Sequence, residues 1–371
     1  MLQRLVPQRN PLSKPLHFIF IACNRNPLRF HKDPSFIYRC ENLGAALECA
    51  GYRVSYCHLS NALLMDSPDV VIFHRPSYSY LFFGIFSWFK SRGVTLIADI
   101  DDLIFDPCLA NYSPGVLNDL VPLKIAKRKF LANFKALNKF DAITVSTEPL
   151  ATHLQRCFPK VKVEVISNAV HHSWVGNERC PLRSSGIPGL KTKNLKEQLS
   201  PVVTYFPGTR SHDLDFSIFA SGVEAFLDKY PQATFDVTGP LEFEMSARSG
   251  QIIHREKLPF ELYHQRFSNA WVNLAPLQAT PFTQCKSALK VLEAGYWGVP
   301  TICSPLPDAE RFRNRGALAV VDAQDCFKQL DAMMDPRYYY DMTDDLSARV
   351  LAIADVEKKG QQFLHFVKLI A

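Results

Sequence analysis

Short β-type runs alternate with helical-period segments along almost the whole chain, and the alternation breaks only once, near the middle. Residues 17–22, 52–57, 70–74, 95–99, 142–146 and 162–166 read as strands, with helical patterns at 35–50, 79–91 and 122–140 between them. Strands parted by helices predict parallel βαβ units and a doubly wound sheet. From residue 174 to 200 Gly, Pro, Ser and Lys dominate, which marks a linker or long loop. The alternation then restarts, with strands expected at 202–206, 234–238, 271–275, 301–304 and 318–321 and helices at 216–229, 260–268 and 287–297. The reading is α/β, with two Rossmann-like domains at 1–174 and 201–350 joined by a 175–200 linker. A C-terminal helix at 351–371 is expected to pack back on the first domain. No repeat of solenoid period interrupts this pattern.

The 371 residues are enough for about two domains. With 47% hydrophobic and 21% charged residues, disorder is excluded as the dominant state. No apolar run reaches the ~18–20 residues of a spanning helix. The ten cysteines are scattered and none forms a CxxC pair, so neither a zinc site nor a disulfide scaffold is indicated. Reduced thiols in a cytoplasmic protein are the expectation. The first apolar run, 16–22, lacks a cleavage signature and reads as a strand. The net charge of +6 suggests an anionic partner but is too small to indicate nucleic acid.

In open parallel sheets ligands bind beyond the carboxyl ends of the strands. The strand at 202–206 leads into Gly208-Thr209-Arg210-Ser211-His212, where glycine admits close backbone approach and Arg holds two oxygens of an anion. An ordinary βα turn is the alternative. Further on, Cys285-Lys286-Ser287-Ala288-Leu289-Lys290-Val291-Leu292-Glu293 opens a helix that Gly298-Val299-Pro300 closes. A phosphate at that N-terminus gains from free N–H groups, the helix dipole and Lys286. Glu293, further along, suits the two hydroxyls of a ribose; a solvated helix residue is the bland alternative.

The stretch 286–300 resembles the nucleotide-sugar signature of retaining GT-B glycosyltransferases of family 4, the glycosyl transferases group 1 domain. The loop at 208–212 resembles that family's diphosphate loop, Thr238-Gly239-Pro240 its next strand end, and 257–275 the segment before the signature. Strand ends at 69–74, 141–148 and 165–170 fit the first half, and the likeness runs from about residue 36 to 350. It implies a GT-B fold, with Arg210 and Lys286 on the diphosphate and Gly208, Thr209, His212, Gly239, Ser287 and Glu293 binding the nucleotide sugar. It implies no cofactor and no metal. The pattern departs from the family at Cys285, which stands where the first of two glutamates is usual, and at His212, which follows Arg210 where a Lys is usual. A histidine often found after a first-half strand gives way to Asp99-Ile100-Asp101-Asp102.

That acidic cluster has several readings. Asp101 and Asp99 suit a catalytic role in the cleft, as base or as orienter of a hydroxyl. Strand-then-Asp-x-Asp also resembles the haloacid dehalogenase phosphatases and the metal-binding motif of GT-A transferases, while a capped polar strand end is the plain alternative. Arg39 and His31 are placed to meet a phosphate or glycan, or to be simple surface residues.

Residues 121–140 carry Lys124, Lys127, Arg128, Lys129, Lys135 and Lys139 with no acidic residue. Such a basic amphipathic helix suits anionic headgroups, or is a solvated face. The aromatic run at 78–90 reads as a buried helix or a membrane-facing patch. The expected function is retaining transfer from a nucleotide-sugar donor to a lipid-linked or glycan acceptor in bacterial surface polysaccharide assembly. The enzyme is placed in the cytoplasm, in contact with the inner face of the plasma membrane, with no nucleic acid partner. A non-catalytic nucleotide-sugar-binding subunit and an Asp-nucleophile phosphatase are the alternatives.

Overall fold

The computed structural model describes residues 15–23, 26–175 and 201–370; the expected linker thus lies almost wholly outside the described residues. Continuous apolar runs become central parallel strands, because a strand covered on both faces has no polar face to show. The first sheet contains β1 (His17–Ala22), β2 (Arg53–His58), β3 (Val70–His74), β4 (Thr95–Ile100), β5 (Ala142–Val145) and β6 (Lys162–Val165) in the order β2-β1-β3-β4-β5-β6. The second contains β7 (Val202–Tyr205), β8 (Thr234–Thr238), β9 (Ile252–Arg255), β10 (Val272–Ala275), β11 (Thr301–Cys303) and β12 (Ala317–Ala319) in the order β12-β11-β10-β7-β8-β9. Every pairing is parallel. Strand order reverses between β1 and β3 in one sheet and between β7 and β10 in the other. Those are the crevices where such sheets hold ligands.

The eight longer helices relevant here are α1 (34–49), α2 (Tyr80–Lys90), α3 (Leu123–Leu137), α4 (Glu148–Cys157), α5 (Asp213–Lys229), α6 (Leu289–Tyr296), α7 (Ala323–Met333) and α8 (Val356–Ile370). On one face of the first sheet Ile21, Val71 and Phe73 pack on Phe82, Phe86 and Phe89 of α2 and Phe130 of α3. On the other, Phe18, Phe20 and Ile72 meet Phe36 and Leu47 of α1 and Phe363 and Phe366 of α8. The C-terminal helix thus lies on the first sheet. In the second half α5 and α7 cover Val203, Tyr205 and Val237. They approach so closely that a Cβ on Gly222 would sit 2.1 Å from the Ala323 carbonyl oxygen.

Three local features differ from the sequence expectation. β9 was not foreseen, since its two isoleucines are followed by His254 and Arg255 on an edge strand with half its length exposed. The 260–268 segment is a tight three-residue-per-turn helix rather than an α-helix. Within α1, residues Ile37–Glu41 form a widened turn in which the Asn42 N–H bonds to the Ile37 carbonyl five residues back. Such widened turns change which side chains face inward and recur at functional sites. Here Tyr38, Arg39 and Asn42 are all buried.

Candidate functional site

The two sheets point their carboxyl ends at a cavity of about 210 Å³ lined by Ser35, Asp101 and Asp102 from the first half and His212, Lys286, Ser287 and Lys290 from the second. The first-half wall is a chain of hydrogen bonds rooted under the surface. Asp99 is buried and receives Arg39 at 2.6 and 3.2 Å, His74 Nδ1 at 2.9 Å and the Thr144 hydroxyl at 2.8 Å. Burial pushes its carboxyl up, but the Arg39 charge and the His74 and Arg39 hydrogen bonds outweigh it, and the pKa ends below the usual carboxylate range. The other His74 nitrogen, Nε2, lies 2.8 Å from Ser35 Oγ, which donates to Asp101 at 2.5 Å. Asp99 therefore anchors the wall from behind, and Asp101 is the carboxylate that faces the cavity.

Asp101 is fixed a second time by Arg75, whose guanidinium reaches both its oxygens at 2.5 and 2.8 Å and Asp102 at 2.8 Å. Burial raises the Asp101 carboxyl, yet the charges of Arg75 and His74 win and hold it well below its ordinary range. It stays ionised, which suits holding a hydroxyl or facing positive charge and makes it a weak proton acceptor. Arg75 adopts φ of 50°. A non-glycine residue in that region costs about 1–3 kcal/mol and persists where its surroundings over-determine it; two carboxylates do so here. Sequence reading missed Arg75, although its place just beyond β3 is where a ligand-side residue belongs.

The second-half wall is different in kind. Lys286 reaches Asp102 across the cleft at 3.5 Å, and Ser287 Oγ accepts a hydrogen bond from Asn168 at 2.9 Å. The α-helix begins at Leu289, two residues later than expected, and the Ala288 N–H is already taken by Asp308 at 2.8 Å. Cation side chains therefore carry the anion-binding capacity here more than the helix end does. Lys290, the second residue of this helix, was not assigned from the sequence. Burial pulls its ammonium down to about 8, and among the described residues no carboxylate lies within ion-pair distance. Arg266 is likewise pulled down to about 9 by burial.

The other expected residues are placed as follows. His212 lines the cavity and bonds to Asp215 at 2.8 Å; burial holds its pKa down to about 4, so it is neutral near pH 7. Arg210 turns out of the cavity, half exposed, and pairs with Glu242 and, at 3.8 Å, with Asp213. Thr209 bonds to Ser211 at 2.7 Å. Gly208 and Gly239 have φ of 77° and 121°, and Gly239 lies against Pro207 and Gly208, so both shape the loop. Glu293 lies behind the cavity wall, buried, with the Tyr38 hydroxyl donating to it at 2.8 Å. Burial raises its pKa to about 7.

Cys285 is buried against the first half, where its carbonyl accepts from Thr147 at 2.8 Å. Burial pushes the thiol up to about 12, and it is inert packing. Arg39 belongs to the buried Asp99 cluster, while His31 lies on the surface beside Glu41. Among the described residues no group of three or more His, Cys, Asp or Glu is placed to hold a metal, and none of the cysteines is paired.

Two six-stranded parallel sheets facing across a cleft with an acidic and a cationic wall define a GT-B fold. Among solved structures the chain is similar to trehalose-6-phosphate synthase OtsA, at 12% identity and a TM-score of 0.62 over 95% of this chain and 99% of that one. It is also similar to sucrose-phosphate synthase from Thermosynechococcus elongatus, at 15% identity and a TM-score of 0.59 over 95% and 98% of the two chains. HepE from Anabaena in complex with UDP and glucose aligns at 12% identity and a TM-score of 0.57 over 95% and 100%. No family model matches the chain, and no curated protein matches it in sequence. At such identities the likeness establishes the fold.

Proposed function

We propose that the chain is a glycosyltransferase that moves a sugar from a nucleotide-sugar donor to a glycan acceptor with retention of configuration. The observation that carries this reading is the cleft itself, where Lys286 and Lys290 face Asp101 across one cavity. The structurally similar HepE was solved with UDP-glucose, and a structure described as trehalose-6-phosphate from E. coli with UDP-2-fluoro glucose. In this reading Lys286 and Lys290 receive the diphosphate, and their charge counts for most as the glycosidic bond breaks and negative charge builds on the departing oxygen. Removing one such charge costs about 10²–10³-fold in turnover. Ser287 and the 208–212 loop complete the diphosphate pocket, and Glu293 takes the ribose once Tyr38 withdraws. Asp101, held ionised by Arg75, orients the attacking hydroxyl and faces the cationic sugar as the bond breaks. These protein cations do the neutralising that a metal does elsewhere, so no cofactor is proposed. The acceptor class proposed is a glycan of the surface-polysaccharide kind, carried on a lipid.

A binding subunit without turnover is the second reading, favoured by one observation. Cys285 replaces a sugar-contacting carboxylate and is turned into the packing between the halves. A phosphatase using Asp99 is disfavoured, because that carboxylate is buried and fully engaged. Incubation with a panel of radiolabelled sugar nucleotides separates the cases. Metal-independent release of nucleoside diphosphate supports the transferase, and binding with no turnover supports the subunit. Asp101→Asn is expected to abolish transfer and leave nucleotide affinity unchanged; near-normal turnover would sink the role given to it.

A further inference from the structure

Outside the cleft, the first half carries one surface that its own packing does not explain. Helix α2 is split lengthwise: Phe82, Ile85, Phe86 and Phe89 enter the core, while Tyr80, Leu81 and Phe83 face solvent at 95, 50 and 43% exposure. An apolar triplet at the start of a surface helix is costly to leave in water. Helix α3 lies beside it. The Tyr78 N–H bonds to the Ala132 carbonyl at 2.9 Å, and Lys139 Nζ sits 5.8 Å from the centre of the Phe83 ring. A groove of about 200 Å³ at the C-terminal end of α3 is lined by Tyr78, just before α2, and by Phe134, Lys135, Asn138 and Lys139.

On the outer face of α3, Lys124, Lys127, Arg128, Lys129 and Lys135 are exposed, and Lys139 just beyond it is exposed too. Among the described residues none of the six forms an ion pair. Leu123, Ile125 and Leu131 stand exposed among them. The sequence alone offered a buried helix or a membrane-facing one for 78–90, and a lipid-binding or solvated face for α3. The structure brings the exposed start of the first against the C-terminal half of the second, where Tyr78 meets Ala132 and Lys139 lies near Phe83, and the remaining cations continue along α3 toward its N-terminal end.

We propose that this α2–α3 face docks on an anionic lipid bilayer surface. The chemistry matches on both counts: rings and leucines enter the headgroup region, and long cationic side chains spread at the level of the phosphates. Each Lys or Arg near such a surface contributes a factor of about five in affinity, and the attraction is screened by salt. No described helix is long and apolar enough to cross a membrane, so attachment at this face is peripheral. The placement also has a direction. Asn118, five residues before α3, bonds to the Ser211 carbonyl at 3.0 Å, so α3 starts at the rim of the cleft. Docking brings the cleft mouth to the lipid surface. The proposal goes beyond the transfer reading and does not depend on it.

Flotation of the full chain with vesicles tests it. Vesicles of phosphatidylcholine with an equal part of phosphatidylglycerol are expected to carry the protein upward at low salt and release it at high salt. Vesicles of phosphatidylcholine alone are expected to leave it behind. Lys124→Glu with Arg128→Glu and Lys135→Glu should weaken the anionic-vesicle binding about a hundredfold or more. Leu81→Ser with Phe83→Ser should weaken it about tenfold. All five positions are exposed, and an unchanged melting temperature shows that each variant is folded. Equal flotation with both vesicle types, no flotation with either, or full binding by the triple variant overturns the proposal. So does tighter binding to a single-stranded RNA homopolymer than to anionic vesicles, which assigns the basic face to nucleic acid. Flotation requires no turnover, so a failed transfer assay and a failed flotation are separate results.

Discussion

The two walls of the cleft hold charge in opposite ways. On the first-half wall Asp99, Arg39, His74, Ser35, Asp101 and Arg75 satisfy one another in an unbroken chain of hydrogen bonds. On the second-half wall Lys290, with Arg266 behind it, is buried enough to lower its pKa; Asp215 and Glu293 act on these cations from a distance, and among the described residues neither cation forms an ion pair. Desolvating a cation without a partner costs free energy that the fold must supply elsewhere. The difference teaches a division of labour. One wall is a rigid frame for a carboxylate, and the other is a charge deficit, cations without ion-pair partners, which in the proposed reading an anionic ligand fills.

If the frame is rigid because it is paired, breaking it should have the largest effect. Arg39→Met leaves Asp99 charged and buried, and unfolding in urea should show a loss of about 3–5 kcal/mol. Adding Asp99→Leu should recover much of it; an Arg39 variant as stable as the parent would show that the wall is not held this way. The deficit side should respond with the opposite sign. Lys290→Met is expected to leave stability unchanged or raised, while nucleoside diphosphate affinity by calorimetry falls about a hundredfold. Because the free Lys290 titrates at about 8, binding an anion must draw a proton onto it above that pH. Wild-type affinity should then fall by up to about tenfold per pH unit above 8, and Lys290→Arg should flatten the fall.

Glu293 sharpens the comparison further, as a carboxylate on the deficit side. Its folded pKa of about 7 lies above the ordinary 4.5, so the folded state binds the extra proton. The resulting stability is fully present below about 4.5 and lost as pH rises through about 7. The loss is on the order of 3 kcal/mol, seen as a decline in urea-melt stability that Glu293→Gln removes. A parent profile that stays level between those values would mean that the carboxyl is already ionised. The smallest effect belongs to Tyr38→Phe, which removes the hydroxyl donated across the cleft. Stability should fall by about 1–2 kcal/mol, and the midpoint of the Glu293 decline should move to higher pH, since that bond favours the carboxylate.

The strands were the legible part of the chain. His17–Ala22 and Val70–His74 follow the boundaries that the apolar runs mark, since strands buried on both faces are largely apolar, and Thr234–Thr238 follows an alternating run in which Phe235 and Val237 are the buried apolar members. β9 was not legible, because an edge strand needs only two inward residues and can end in His254 and Arg255. Within the cleft, the acidic cluster after β4 and the Lys286-Ser287 step could be located from their places at strand and helix ends. Partner choice could not. Asp99 and Asp101 are two residues apart and chemically identical, and only the arrival of Arg39, His74 and Thr144 from three other elements makes one an anchor and the other a cleft residue. The widened turn in α1 has no proline or glycine to announce it, yet it aims Arg39 at one wall and Tyr38 at the other.

The return of the C-terminal helix to the first sheet also bears on how the molecule holds together. The Val170 N–H bonds to the Ala354 carbonyl at 2.8 Å, so the stretch leaving the first half and the stretch re-entering it run side by side. The molecule is therefore not two beads on one thread. A single break in the backbone between residues 175 and 201 would yield a pair of fragments still clasped through Phe363 and Phe366. The C-terminal fragment would carry its own handle on the N-terminal one, and the protein would behave as a split pair that reassembles rather than as two separable pieces.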